Sequence, residues 1–254
     1  MQKIKLIFTG LIASLLIGCV SIEDKKGSPE EIAKVNTSLA KSYYSKGLYD
    51  IAEEKLEKAL EGNAENIGAN TLLAMVYDQQ GRVSEASVQF ENTLDLAQHN
   101  SVEFAEISNN YAVFLCKNGN WVDAEQHFVD AVNVAEYRTK AGALENAGYC
   151  ALGANELAKS MTYFEKALSE NKQMLRSMLG LAKASVSMKE WGKARSALKD
   201  FHENTNTTDE SLYYMVMVEN ASNNNDEKLK YINELKTHFP NSEFLKKLNN
   251  SSKM

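Results

Sequence analysis

The residues able to carry covalent or proton-transfer chemistry are few and dispersed. The chain has three cysteines, Cys19, Cys116 and Cys150, and four histidines, His99, His127, His202 and His238. Metal and nucleophile sites need such groups at short, repeated spacings. No His-Glu-x-x-His, Cys-x-x-Cys or Gly-x-Ser-x-Gly arrangement is present, and no glycine-rich phosphate loop. The acid pairs Glu30–Glu31 and Glu53–Glu54 fall on solvated helix faces. Asn206 to Thr208 match a glycosylation sequon, and a plain loop is expected there. The chain therefore reads as a non-enzymatic protein with no metal, no cofactor and no small-molecule substrate. Two features remain. Cys116 and Cys150 offer thiol–disulfide chemistry, and the run Asn109-Asn110 offers amides that donate and accept hydrogen bonds at once.

The elements that must hold these groups are helices. Hydrophobic residues make up 44% of 254, enough for a packed core, and the only two prolines, Pro29 and Pro240, stand near the ends. The stretch between them lacks the strongest helix breaker and is rich in Ala, Leu, Glu and Lys. A net charge of −6 argues against a nucleic-acid partner held through phosphate contacts.

The helices repeat. Leu39 to Leu60 (LAKSYYSKGLYDIAEEKLEKAL) aligns with Leu73 to Leu94 (LAMVYDQQGRVSEASVQFENTL), so that Ala40 and Ala74, Tyr43 and Tyr77, Gly47 and Gly81, and Ala52 and Ala86 are each 34 residues apart. Further copies run from Tyr111 to Val132, Ala147 to Leu168 and Leu181 to Phe201. A degenerate sixth runs from Met215 to Phe239. The period is interrupted by four extra residues before the third copy and two before the fourth, near QHNSVEF and EYRTKAG.

Each copy has a small residue where two helices would cross (Ala40, Ala74, Ala112, Gly148, Ala182) and another in the second helix (Ala52, Ala86, Ala124, Ser160, Ala194). Without bulk at the crossing the helices approach and their larger neighbours interlock. Gly47, Gly81 and Gly119 suit the turn, where positive φ ends a helix. Trp121 and Trp191 share one slot just after the turn, with core packing the expected role. This pattern resembles the tetratricopeptide repeat. The implied fold is all-α, a right-handed superhelix of six helical hairpins with a concave groove. The repeats are expected at approximately 33–66, 67–100, 105–138, 141–174, 175–208 and 209–242, within a domain of 33–248 that ends in a C-terminal cap. The Asn-rich turn within Glu219 to Tyr231 suits a polar terminal unit.

The first residues read differently. Lys3 and Lys5 precede an apolar run from Leu6 to Ile17, the pattern of an export signal and too short for a permanent span. Leu16 to Cys19 (LIGC) resembles the bacterial lipobox, which implies a signal peptide of 1–18, cleavage before Cys19 and lipidation of Cys19. Val20 follows in place of the aspartate associated with inner-membrane retention, so the resemblance implies the outer membrane, with the protein facing the periplasm. Residues 19–32 are expected to form a flexible tether.

In the repeat register Cys116 is residue 12 of its unit and Cys150 residue 10 of the next. A two-residue offset turns a helix by about 200°. The two side chains therefore leave opposite flanks of equivalent helices and face each other across the junction of repeats three and four. In an oxidising compartment, with Cys19 used for lipid, a Cys116–Cys150 disulfide is predicted; the alternative is two buried thiols in small-residue slots. Asn109 falls at residue 5, a groove-lining position, and Tyr44, Met75, Asp78, Val113, Glu145 and Tyr149 are expected beside the same groove. There Asn109 has two readings, binding the backbone of an extended peptide or bonding within its own stack.

Two runs are more specific than the repeat. Asn109, Asn110 and Tyr111 lead to Phe114-Leu115-Cys116, and Asn146, Gly148, Cys150, Ala151 and Leu152 form the counterpart in repeat four. With the lipobox and the six-repeat plan, they resemble the type IV pilus biogenesis and stability lipoproteins of the PilF/PilW family. That resemblance implies an outer-membrane pilotin. It would bind pilus secretin subunits, assist their localisation and multimerisation, and hold to the membrane through Cys19. The alternative is a general periplasmic scaffold for cell-wall or outer-membrane protein assembly machinery.

Overall fold

A computed structural model describes residues 27–251. The signal peptide, Cys19 and most of the tether lie outside the described residues. Among the described residues the chain forms thirteen helices and no strands. They pair as hairpins: α1 (Pro29–Tyr44) with α2 (Tyr49–Gly62), α3 (Ile67–Gln79) with α4 (Val83–Leu96), and α5 (Val102–Lys117) with α6 (Trp121–Asn133). Then follow α7 (Lys140–Gly153) with α8 (Leu157–Glu170), α9 (Leu175–Ser187) with α10 (Trp191–Asn204), and α11 (Asp209–Ala221) with α12 (Asn225–His238). The last helix, α13 (Glu243–Ser251), covers the end of the stack, where Leu245 joins Leu212 and Leu235 in a small apolar cluster. The architecture is an all-α superhelix of six tetratricopeptide hairpins.

The start of α1 corrects the tether boundary. Residues 29–32 are already helical because Ser28 and Glu31 form a capping box around Pro29. Ser28 N–H donates to the Glu31 carboxylate at 2.9 Å, and Glu31 N–H to Ser28 Oγ at 3.2 Å. Three orphan-donor problems are met within four residues, since proline at the first helical position has no N–H to satisfy.

All six hairpin turns share one conformation, although only the first three carry glycine. Gly47, Gly81 and Gly119 take positive φ, and the same slot is filled by Asn155, Lys189 and Asn223 at φ 61°, 60° and 56°. Each is followed by a residue whose N–H reaches back to the end of the first helix, as in Leu48 to Tyr43 O and Glu190 to Ser185 O. That long return bond satisfies an otherwise orphaned carbonyl, and it holds even Lys189 in a region costly for a side chain.

The extra residues of the third repeat enter mainly as helix: α5 has 16 residues against 13 in α3. The small crossing residues Ala40, Ala74, Ala112 and Ala182 are fully buried. Phe90, Phe128 and Phe164 fill the space beside them in successive repeats. Phe164 lies between α7 and α9, where both Gly148 and Gly180 face its ring. A Cβ at Gly148 would meet the ring at 2.7 Å, and one at Gly180 would sit closer still. Trp121 and Trp191 open α6 and α10 and pack half-buried against the cores.

The contact pattern gives the stack its two faces. First helices approach closely in succession, α1 with α3, α3 with α5, α5 with α7, α7 with α9 and α9 with α11, whereas successive second helices stand farther apart and meet through long side chains, as Lys159 and Tyr163 of α8 do with Glu125 of α6 and Lys193 of α10 with Glu165 of α8. The stack is tighter along the first helices, so it curves toward them, and they line the concave groove. No described helix is long and apolar enough to cross a membrane.

Candidate functional site

The centre of the groove lies at the junction of α5 and α7. Cys116 and Cys150 are joined there as a disulfide, with their Cα atoms 5.7 Å apart. The facing flanks of the two helices bring these residues within bridging range, which Cα separations above about 7 Å would forbid. The bridge floors a hollow of about 250 Å³ lined also by Val113, Lys117, Phe128, Asn146 and Tyr149. Val113 is 43% exposed at its wall.

Asn109 sits beside this hollow. Asn146 Nδ2 donates to Asn109 Oδ1 at 3.2 Å, so the two asparagines of consecutive repeats meet side by side. Asn109 Nδ2 and Asn146 Oδ1 have no partner among the described residues, and both residues are half-buried. The pair thus presents donors and an acceptor together at the groove wall.

The charged groove residues are arranged asymmetrically. Asp78, on α3, accepts two bonds at 3.0 Å from Lys117 Nζ on α5. Its side chain is only 13% exposed, whereas that of Lys117 is 54% exposed. Glu145 on α7 is buried, against its expected place as an accessible groove residue. Its carboxylate pairs with Arg176 Nη1 at 3.1 Å and accepts from Ser177 Oγ at 2.8 Å. A carboxylate in that setting needs such partners to remain charged. Arg176 carries the exposure instead, 69% against 8% for Glu145.

Tyr149 links the hollow to Arg176. Its hydroxyl donates to the Arg176 carbonyl at 2.6 Å, its ring lies under the guanidinium at 4.9 Å, and its edge packs on Phe164. Burial pushes the phenol up to about 12, so it remains a neutral donor at physiological pH. Tyr44 packs against Tyr49, half-buried and near the start of the groove, while Met75 is half-buried and serves two apolar clusters. The groove residues Tyr44, Met75, Asp78, Asn109, Val113, Glu145 and Tyr149 thus lie on four successive first helices. Val113 and Tyr149 border the central hollow, and Asn109 adjoins it through Asn146.

Lys117 and Arg176 are site residues the register does not single out, whereas Phe128 holds the recurrent bulky position of the second helix. Lys117 directly follows Cys116, and Arg176 is the second residue of α9. The place of Lys117 beside Cys116 is its one sequence signal, and Arg176 has none.

No group of three or more His, Cys, Asp or Glu among the described residues could hold a metal ion. Burial holds His127 and His202 below the usual imidazole range, His127 against the Tyr111 ring at 4.8 Å and His202 bonded to Ser211 Oγ. Both are neutral packing groups at neutral pH. The arrangement suits recognition of a protein segment: a curved apolar and amide-bearing surface with exposed cations.

Residues 37–101, the first two hairpins, match the tetratricopeptide repeat model. The chain is 26% identical over 238 residues to the type IV pilus assembly protein PilF of Pseudomonas aeruginosa, a match covering 91% of this chain and 92% of that protein. The solved structure of Pseudomonas aeruginosa pilF superposes with a TM-score of 0.75 at 23% identity, covering 89% of this chain and all of that one. The crystal structure of PilW, a widely conserved type IV pilus biogenesis factor, gives 0.74 at 24% identity, covering 86% of this chain and 98% of that one. With the repeat pattern and the six-hairpin stack, these likenesses show a tetratricopeptide-repeat fold, and a sequence similar to that of PilF over nearly the whole chain.

Proposed function

We propose that this protein acts in type IV pilus biogenesis as a non-enzymatic pilotin. It binds pilus secretin subunits through its repeat surface and assists their localisation and multimerisation in the outer membrane. The observation that carries the reading is the extent of the likeness to PilF, which runs through nearly the whole of both chains rather than through the repeat pattern alone. The asparagine and cysteine runs of repeats three and four support it, since they meet at one groove site. Lipidation at Cys19 would place the stack on the periplasmic face of the outer membrane, leaving the groove free to meet a partner.

The test is deletion of the gene followed by non-denaturing analysis of secretin multimers and of surface pili. Loss of multimers and pili, restored by the wild-type gene, is expected. Unaltered multimers and pili in the deletion strain would overturn the reading. Pull-down of the lipidated protein in mild detergent, enriching cell-wall hydrolases or barrel-assembly components without secretin, would favour a general periplasmic scaffold instead.

A further inference from the structure

We propose that the outer flank of α1 lies on a phospholipid surface, so that the stack stands with its first repeat against the membrane. Such docking rests on the lipid anchor at Cys19 that the pilotin reading includes, and adds to it the face that meets the bilayer.

The flank is a repeat interface with no repeat before it. Val35 is 56% exposed and Leu39 43%. Their equivalents are buried in every later repeat, from Ala69 and Leu73 in the second to Ser211 and Met215 in the sixth, because each stands against the preceding hairpin. Ile32, 38% exposed, extends the row at the spacing i, i+3, i+7. One flank position has changed chemistry: Ser42 is exposed where the later repeats bury Val76, Phe114, Cys150, Ala184 and Val218. Exposed Ser38 and half-buried Asn36 complete the flank. None of these residues is charged. Helical rotation carries Lys34 and Lys41 well away from the row, and the Glu31 carboxylate accepts from Ser28 N–H. Hydroxyls and an amide beside a narrow aliphatic row suit the boundary between headgroups and acyl chains. There the aliphatic groups leave water while the polar groups keep hydrogen-bond partners. The other end of the stack is covered by α13, whose Leu245 joins Leu212 and Leu235.

The occupant follows from where the preceding chain is anchored. Cys19 lies nine residues before Ser28, a reach of about 30 Å at full extension. Acyl chains on Cys19 therefore hold the first turn of α1 near the bilayer, with the sixth repeat at the opposite end of the stack. Three aliphatic side chains are too few to bind a bilayer from solution. A tether this short raises the local concentration of lipid surface to the order of millimolar or above, and weak docking then suffices. A second copy is less well suited. One 16-residue helix flank laid against another falls short of the roughly 1,200 Å² that a stable protein interface buries.

An environment-sensitive dye on α1 tests the proposal. Mature, lipidated, full-length protein carrying Val35→Cys is labelled and reconstituted in vesicles of phosphatidylethanolamine and phosphatidylglycerol. With Cys19 acylated and Cys116 bridged to Cys150, the introduced thiol is the one that reacts. Its label should show blue-shifted emission that brominated acyl chains quench. A label at Leu229→Cys, exposed on α12 at the other end of the stack, should keep its emission in water. Leu39→Glu, a change at an exposed position, should abolish the shift at Val35→Cys. Water-like emission from Val35→Cys in protein that floats with the vesicles would overturn the proposal and leave the lipid anchor standing. So would a shift that survives Leu39→Glu. Protein that fails to float would remove the anchor, and the docking with it. A shift present without vesicles in the Cys19→Ser form, growing with protein concentration, would assign the flank to a second copy instead. A shift that requires added secretin would assign it to that partner; either result overturns the lipid docking.

Discussion

Two junctions of the stack are held together by opposite means. Between repeats three and four the link is covalent, the Cys116–Cys150 bridge at the groove floor. Between repeats five and six it is ionic. Arg195 on α10 reaches across to α11 and bonds Glu219 through Nε at 2.9 Å and Nη2 at 3.1 Å. Ser222 Oγ accepts a further bond from Arg195, and Asn224 Nδ2 donates to Glu219. Glu219 is 4% exposed, and its equivalents in earlier repeats are Tyr43, Tyr77, Leu115, Ala151 and Ser185. A buried carboxylate consumes every polar group within reach, because each oxygen left unpaired would carry a desolvation penalty. A disulfide consumes none. The middle junction is therefore fixed while its amides and cations still face solvent, and the end junction is fixed by turning its polar groups inward. The middle keeps polar groups at its surface and the end encloses them.

The largest test of that contrast is removal of the bridge. Cys116→Ser with Cys150→Ser should lower stability by about 3 kcal/mol, with faster amide exchange concentrated in α5 and α7 and little change in α11 and α12. Denaturant melts and hydrogen-exchange mass spectrometry check this; equal loosening of both junctions would break the comparison. Next in size is Glu219→Ala, expected to cost about 2 kcal/mol, less than for a fully buried pair because the freed Arg195 can reach water. Its loosening should be confined to α10–α12, and thiol reduction should not mimic it.

Acidification should produce a smaller effect. Burial depresses both His127 and His202, so the unfolded chain takes up protons at a higher pH than the folded one. Stability is unaffected by these groups well above their ordinary value near 6.5, and it declines as pH falls through that value toward the lower folded ones. His127→Phe should flatten the pH dependence of the middle repeats and leave that of the end repeats intact, as thermal melts across this range would register. The smallest stability change belongs to Asn146→Ala, within about 0.5 kcal/mol because the side chain is only half-buried. Thermal melts of the variant against the wild type check this. A loss well above that would mean that the Asn109–Asn146 bond helps hold repeats three and four together.

Much of the middle region can be read from local pattern. The crossing alanines, the glycine of the first three turns and the offset between Cys116 and Cys150 each follow from helical geometry within one or two repeats. The turn at Lys189 was not legible in this way. Asparagine, as at Asn155, takes positive φ readily, but lysine does not, and the conformation there is imposed by the return bond from Glu190 to the preceding helix. The ion pair at Glu219 is hidden for a similar reason, since its partner lies 24 residues away on another hairpin.

The amino-acid sequence by itself determined the number of hairpins, their register and the side of each first helix that lines the groove, because steric periodicity is local and repeats with the chain. Only the tertiary structure decided which charges that groove displays. Asp78 and Lys117 are 39 residues apart, and Ser177 joins Glu145 from 32 residues away. Which member of such a pair is buried depends on how neighbouring helices close over it, and on the desolvation penalty that each charge meets there. An acidic chain thereby exposes Lys117 and Arg176 over carboxylates that it keeps largely from solvent.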